Sequence, residues 1–156
     1  GTLCILDNRT TAMTGAQGNP CNGVSLAEQA AGVSPLDVPE GKALDIVRLC
    51  EAIGVDEVSL IDAQDAKSIR EALKQAISHE DKLSVLVFRS PCRLIDRSRR
   101  PQPTITDCRA CGACVQIGCP ALGKDELGRA QIDYNQCIGC NQCVQACPFK
   151  FIKEGM

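Results

Sequence analysis

The stretches CRACGACVQIGCP, at residues 108–120, and CIGCNQCVQACP, at residues 137–148, decide the fold of the C-terminal part of the chain. Each contains three cysteines separated by two residues, and a fourth cysteine that directly precedes a proline. Three closely spaced cysteines of this kind hold one cubane [4Fe–4S] cluster, and the fourth ligates the other cluster of a pair. The two stretches therefore predict two such clusters and a role in electron transfer.

The pattern assigns a ligand set to each cluster. The first set is Cys108, Cys111, Cys114 and Cys147, and the second is Cys137, Cys140, Cys143 and Cys119. Gly112 and Gly139 suit the tight turns that this spacing requires. The first stretch has four residues between its third and fourth cysteines where the second has three, so Cys119 is the less regular of the two crossed ligands.

Two other uses of cysteine account for less of this pattern. Paired Cys-x-x-Cys motifs also bind zinc, but zinc leaves the third cysteine of each triplet and the cysteine-proline endings unexplained. Twelve cysteines in 156 residues would suit a secreted disulfide-rich protein, yet no signal peptide is evident and cysteines this close are better metal ligands than disulfide partners. We therefore expect a reducing cytoplasm, in an anaerobic organism.

Composition excludes several classes of function. The formal net charge is −2, which argues against general nucleic-acid binding. No apolar run approaches the length that spans a bilayer, so we expect no membrane partner. Aromatic residues make up 3% of the chain, so the core must be built from Val, Ile, Leu and Ala.

Residues 1–97 alternate predicted strands with predicted helices. Apolar runs predict three strands, the first of them buried: Thr2–Leu6, Val58–Ile61 and Leu83–Phe88. Helical spacing predicts a helix that ends at Gly54 and has these apolar positions: Ile46, Leu49, Cys50 and Ile53. It also predicts a helix capped by Asp65, with these apolar positions: Ile69, Ala72, Leu73, Ala76 and Ile77. This alternation indicates an α/β fold with a mostly parallel sheet and right-handed crossovers. Three strands are few for such a sheet and residue 1 is glycine, so we expect part of a larger protein.

The remaining segments divide the chain into two predicted domains, residues 1–97 and residues 98–156. The tract Arg93–Pro103 contains four arginines and two prolines; it suits a solvated linker or a docking surface for an acidic electron partner. Short strands are predicted at Thr104–Thr106 and Ala130–Asp133, and the cysteine pattern repeats at 29 residues, from Cys108 to Cys137. Cysteines in or beside apolar segments are predicted core residues: Cys4, Cys50 and Cys92.

The loop Asp7–Gly23 follows the first predicted strand, at the edge where open α/β sheets bind ligands. Its glycines, among them Gly15, suit turns or the close approach of backbone to phosphate. Such a loop is also often only a turn.

The segment LDNRTTAMTGAQ, at residues 6–17, resembles the second half of the thiamine diphosphate and magnesium motif of the 2-oxoacid:ferredoxin oxidoreductases, most closely the large subunit of the indolepyruvate enzymes. The order of parts is also similar, because Ser90–Cys92 and Cys119–Ala121 match the SPC-like and CPA-like segments of that family. The resemblance covers essentially the whole chain and matches the C-terminal part of the large subunit. It implies half of a thiamine-binding α/β domain, followed by a two-cluster ferredoxin-like α+β domain.

The resemblance also implies roles for particular residues. Asn8 matches a side-chain ligand of magnesium, Thr10 matches a residue that offers its backbone carbonyl, and the cofactor-binding set is Asn8, Thr10, Thr14 and Gly15. The Gly-Asp half of the family motif, which supplies a carboxylate ligand, is absent from the chain. We therefore expect this part alone to be inactive.

The implied reaction is the oxidative decarboxylation of a 2-oxoacid, an aryl pyruvate in the indolepyruvate enzymes, to an acyl-CoA. The implied partners are ferredoxin as electron acceptor, the rest of the large subunit, a smaller second subunit, coenzyme A and the 2-oxoacid. The alternative hypothesis is a non-catalytic electron-transfer subunit whose α/β part serves only for docking.

Overall fold

The computed structural model describes residues 1–10, 13, 15–39, 41–98 and 100–155, without the side chain of Leu36. The chain divides into two compact units, Gly1–Arg97 and Ser98–Met156. Within the described ranges, no helix is both long enough and apolar enough to cross a membrane.

The first unit is an α/β unit with a three-stranded parallel sheet in the order β1-β3-β2. Its strands are β1 Thr2–Asp7, β2 Glu57–Asp62 and β3 Ser84–Arg89, and its helices are α1 Leu26–Ala30, α2 Ile46–Ala52 and α3 Ala66–Ser78. A 3₁₀ turn covers Pro35–Asp37. The predicted parallel sheet is confirmed, and each strand lies within one residue of its predicted bounds.

Helix α3 begins directly after Asp65, which caps its N-terminus. The Asp65 carboxylate accepts hydrogen bonds from the backbone N–H groups of Lys67 and Ser68, at 3.0 and 3.2 Å. These two donors have no partner inside the helix, so the cap stabilises its first turn. The hydrogen bond to the Ser68 hydroxyl, together with those to the backbone, lowers the pKa of Asp65 and keeps the cap ionised.

The central strand β3 carries the core on both of its faces. Ile61, Ala76, Leu86 and Phe88 form one buried cluster with α3, and Cys50, Val85 and Val87 form the other with α2. The fully buried Val85 and Val87 explain the continuous apolar run of this strand, because a parallel strand covered on both faces has no polar side.

The prediction that the first strand is buried is wrong. β1 is an edge strand, Cys4 is exposed, and the Leu6 side chain is 81% exposed. Of the other two predicted core cysteines, Cys50 is buried and Cys92 is half-buried. The helices α2 and α3 pack against β2 and β3, and the outermost positions of their predicted apolar faces are also exposed: Leu49, Ile53 and Ile77.

The second unit consists of two short antiparallel ribbons around the cysteine loops. β4 Thr104–Ile105 pairs with β7 Ile152–Lys153, and β5 Leu122–Lys124 pairs with β6 Ala130–Ile132. A 3₁₀ turn covers Val115–Ile117, and helix α4 covers Gln142–Ala146. Both predicted strands are present, each one residue shorter than predicted.

The arginine-rich tract is tied to the units on either side of it. Arg93 forms an ion pair with Asp96 at 3.1 Å. The backbone N–H of Asp96 donates to the carbonyl oxygen of Cys92 at 2.9 Å, which closes a turn after β3. Arg100 and Pro101 pack against Gly139 in the second cysteine loop.

Candidate cofactor sites

The structure brings together the first predicted ligand set. One pocket is lined by the four cysteines of that set, Cys108, Cys111, Cys114 and Cys147. Nine neighbouring residues complete the lining: Arg109, Gly112, Val115, Gly128, Ala130, Pro148, Phe149, Phe151 and Ile152. Cys147 is 33 residues beyond Cys114 in the sequence, so the fold and not local spacing delivers it to this pocket. We call this the Cys147 site.

The thiol groups of the Cys147 site influence one another electrostatically. Burial raises the pKa of Cys114, and the charges of Cys108, Cys147 and Cys111 raise it further. Four thiolates this close repel each other unless a positive centre binds them, and metal coordination deprotonates cysteine outright. The four cysteines therefore suit a multi-iron cofactor.

Backbone N–H groups point at two of these sulfur atoms. The N–H of Ala130 donates to Cys108 Sγ and that of Phe151 donates to Cys147 Sγ, both at 3.3 Å. Burial alone would raise the pKa of Cys147, but hydrogen bonds from the backbone of residues 149–152 outweigh it and lower the pKa. Hydrogen bonds to sulfur are a feature by which proteins tune iron–sulfur clusters. The site thus fits a [4Fe–4S] cluster in its ligands and in their surroundings.

The second triplet forms a separate thiol group. Burial raises the pKa of Cys143 to about 11, and the charges of Cys140 and Cys137 contribute to the shift. The predicted fourth ligand, Cys119, packs against the same core cluster as Cys137 and Cys143. We call these four cysteines the Cys119 site; Cys119 as its fourth ligand stays a prediction.

Both cysteine loops use left-handed backbone between their ligands. In the first loop these residues are Ala110, Gly112 and Gly118, and in the second they are Gly139 and Asn141. Left-handed residues turn the chain sharply enough to aim successive cysteines at one point.

Within the described chain, no three cysteine, histidine or acidic side chains converge on a position for a single metal ion.

The sequence did not reveal the groups that surround the Cys147 site. Backbone donors such as Ala130 and Phe151 have no signature in residue type. Arg109 lies over the rings of Phe149 and Phe151, at 5.5 and 5.7 Å from their centroids. Two phenylalanines within three residues of a cysteine-proline ending, in a chain with 3% aromatic residues, are the signal that could have identified this stack.

The predicted thiamine loop leaves β1 beside the end of β3. Asn8 is exposed; its side-chain oxygen accepts from the N–H of Thr10 at 3.1 Å, and its carbonyl oxygen accepts from the N–H of Cys92 at 3.0 Å. The Thr10 hydroxyl is buried and has no hydrogen-bond partner among the described residues. Thr14 lies outside the described residues, and Gly15 has left-handed backbone with no neighbour where a Cβ would be.

The donors of this loop fit a magnesium and phosphate site in part. Asn8 supplies an exposed amide oxygen, and the unpartnered Thr10 hydroxyl supplies a further polar group. The nearest carboxylate, Asp7, is buried and paired with Arg89 at 2.7 Å, so it is not free to bind a metal. Beside the loop, a cleft is lined by four basic side chains: Arg9, Lys42, Arg48 and Arg89. Among the described residues, Asp45 is the one acidic side chain that lines it.

Gly18 and Gly23 hold the rest of the loop close to its neighbours. A Cβ at Gly18 would overlap the carbonyl oxygen of Val24, and one at Gly23 would lie 2.8 Å from the backbone nitrogen of Ala43. The described segment Gly18–Gly23 is therefore packed against its neighbours and requires both glycines.

Comparison with known proteins gives matches for both units. Residues 1–88 match the family described as thiamine pyrophosphate enzyme, C-terminal TPP binding domain, and residues 130–153 match the 4Fe-4S binding domain. No solved structure matches the chain.

Several curated proteins are similar along the chain. Indolepyruvate oxidoreductase subunit IorA of Methanothermobacter marburgensis is 35% identical over 97% of this chain and 23% of its own length. The proteins of the same name from Archaeoglobus fulgidus and Thermococcus kodakarensis are 33% and 35% identical, over 97% and 98% of this chain and 24% of their own lengths. The chain spans about a quarter of the length of these relatives. They confirm the resemblance stated from the sequence.

A shorter match concerns the second unit. The thiosulfate reductase electron transfer subunit PhsB of Salmonella typhi is 48% identical over 46 residues, which are 27% of this chain and 23% of that protein.

Proposed function

Because the chain belongs to the family of thiamine pyrophosphate enzymes with a C-terminal TPP binding domain, we propose that it is part of a thiamine-dependent 2-oxoacid:ferredoxin oxidoreductase. In this proposal the complete enzyme oxidatively decarboxylates a 2-oxoacid, an aryl pyruvate, to an acyl-CoA. The two electrons leave through two [4Fe–4S] clusters to ferredoxin.

The observation that carries this proposal is the combination of two sites in one chain. The thiamine family covers residues 1–88, and the four cysteines of the Cys147 site line one pocket of the other unit. A two-electron oxidation whose final acceptor takes one electron at a time needs a one-electron carrier, such as an iron–sulfur cluster, near the reacting atoms. The names of the similar IorA proteins point to the same class of reaction.

In the complete enzyme, the loop after β1 would hold part of the thiamine diphosphate and magnesium site. Asn8 would offer its side-chain oxygen to magnesium and Thr10 its backbone carbonyl, while Thr14 and Gly15 would border the diphosphate. Magnesium prefers such oxygen ligands and shares them with phosphate. The bound cofactor supplies the carbanion chemistry; the loop binds and orients it.

The rest of the site would come from outside this chain. Asp7 is paired with Arg89, so the carboxylate ligand of magnesium would be supplied by another part of the enzyme. The exposed apolar side chains of the first unit are suitable contacts for the remaining large subunit and for a smaller second subunit: Leu3, Leu6, Leu49, Ile53, Leu60 and Ile77. On this basis the chain alone is inactive.

A second candidate function is supported by the PhsB match. That relative is named an electron transfer subunit, so the second unit could serve as a cluster carrier without thiamine chemistry in the same protein. In that case the first unit would be a docking domain.

Cofactor binding to the complete large subunit separates the two functions. We expect thiamine diphosphate with magnesium to bind it, and Asn8→Ala to weaken that binding about tenfold or more, as the loss of a metal ligand does. Asn135→Ala, an exposed amide in the other unit, is the matched control and should bind normally. A subunit that holds its iron but binds no thiamine diphosphate would favour the carrier function.

A further inference from the structure

We propose that the surface around the Cys147 site is the docking face for an acidic one-electron carrier protein. The face is formed by the three basic residues Arg109, Lys124 and Lys150, together with Phe149. The inference rests on the proposed function for the source of electrons, but it concerns a binding surface that can be measured without the reaction.

The Cys147 site has one predicted ligand that is exposed to solvent. Cys111 is exposed, whereas the four cysteines of the Cys119 site are each half-buried. Phe149 lines the Cys147 pocket and is 46% exposed. Electron transfer between proteins requires a short path, and an exposed ligand provides the shortest one.

Basic side chains surround this opening. Arg109 lines the pocket and lies over Phe149. The Lys124 Nζ atom lies 3.5 Å from the position of a Cβ at Gly112, and Lys150 follows Phe149 in the chain and is exposed. Among the described residues, none of these three side chains takes part in an ion pair.

The acidic residues of the same stretch offset part of this positive charge. Asp125 is paired with Arg129 at 2.9 Å, so these two charges cancel. Asp107, which precedes Cys108, and Glu126 are exposed. The three unpaired basic groups exceed these two carboxylates.

The positive charge of this face favours a negatively charged protein as its partner. A positive face over an accessible redox site speeds the encounter with a negatively charged protein and orients it. The stacked pair Phe149 and Phe151, with ring centroids 5.9 Å apart, adds a rigid apolar contact at the centre of the face. A reduced cluster held by the Cys147 site would pass one electron to the oxidised carrier, so that the cluster is oxidised and the carrier reduced; no bond would break and no proton would move.

The test measures carrier binding to the complete, cluster-loaded large subunit. The probe is an oxidised two-cluster bacterial ferredoxin of negative net charge, titrated at low salt without substrate or thiamine diphosphate. Arg109→Glu with Lys124→Glu should raise Kd about tenfold or more, and 0.5 M salt should remove most of the difference. Arg70→Glu with Lys74→Glu, at two exposed basic residues of the first unit, is the charge-matched control.

A second variant guards against loss of the cluster. Lys124→Glu with Lys150→Glu leaves the Arg109 stack intact and should weaken binding similarly, at unchanged iron content. Equal Kd values for the wild type and both double variants at 109/124 and 124/150 would overturn the proposal, as would an equal effect of Arg70→Glu with Lys74→Glu. Because no substrate is present, failure of the thiamine reaction would not affect this result.

Discussion

The two cysteine loops share their spacing but differ in what surrounds them. The Cys147 site opens to the surface, receives N–H groups on two sulfurs and has Arg109 beside it. The second loop is instead covered at Gly139 by Arg100 and Pro101. Spacing therefore specifies the ligands, while distant chain segments specify the environment of each site.

The loops also exchange their glycines. The residue before the second cysteine is Ala110 in one loop and Gly139 in the other, and the residue after it is Gly112 in one and Asn141 in the other. All four have left-handed backbone. Both loops therefore require left-handed backbone on each side of the second cysteine. They do not require the same residue at either position.

The largest expected effect tests whether the ligands are crossed between the loops. Cys147→Ala and Cys119→Ala should each reduce iron from about eight to about four per chain. Combining Cys147→Ala with Cys111→Ala should leave about four, because both residues serve one cluster. Combining Cys147→Ala with Cys119→Ala should leave none. Iron and sulfide assays check this; loss of all iron in the variant that combines Cys147→Ala with Cys111→Ala would show that the ligands are not crossed.

The next effect tests the contacts of the second loop. A Cβ at Gly139 would lie 2.8 Å from the carbonyl oxygen of Pro101, whereas a Cβ at Gly112 would meet only the flexible end of Lys124, at 3.5 Å. Both substitutions to alanine pay the cost of left-handed backbone, about 1 kcal/mol. Gly139→Ala should cost roughly 1–3 kcal/mol more, because backbone must move.

Anaerobic thermal unfolding and iron content of the two glycine variants check this difference. Gly139→Ala should unfold at the lower temperature and lose iron. Equal losses in the two variants would mean that Pro101 yields easily.

A smaller effect concerns the reduction potentials. The Cys147 site should have the higher potential, because N–H donors to sulfur, nearby positive charge and solvent exposure all stabilise the reduced cluster. Redox titration followed by electron paramagnetic resonance measures both potentials, and the Cys119→Ala variant identifies the signal that belongs to the Cys147 site. A lower potential at the Cys147 site would show that these features do not dominate.

The sequence predicted the three strands of the parallel sheet and the helices α2 and α3 because their apolar periodicity and caps are local properties, as at Asp65. It did not predict α1, α4, β5 or β7. It failed at β1, since an apolar strand such as Thr2–Leu6 does not reveal whether a neighbour covers it. It grouped Cys147 with the first triplet because a known ligand pattern encodes that long-range relation. It could not find the N–H group of Phe151, since every residue except proline carries the same donor.

The smallest effect concerns Ala110, which has left-handed backbone at the position where the second loop has glycine. Ala110→Gly relieves the cost of that backbone but adds flexibility to the unfolded chain. We expect a net gain of roughly 0.5–1 kcal/mol. Ala113→Gly, three residues along in the same loop and outside the left-handed region, is the control and should lose a similar amount. Anaerobic thermal unfolding of both variants measures the sign, and destabilisation by both would show that Ala110 bears no strain.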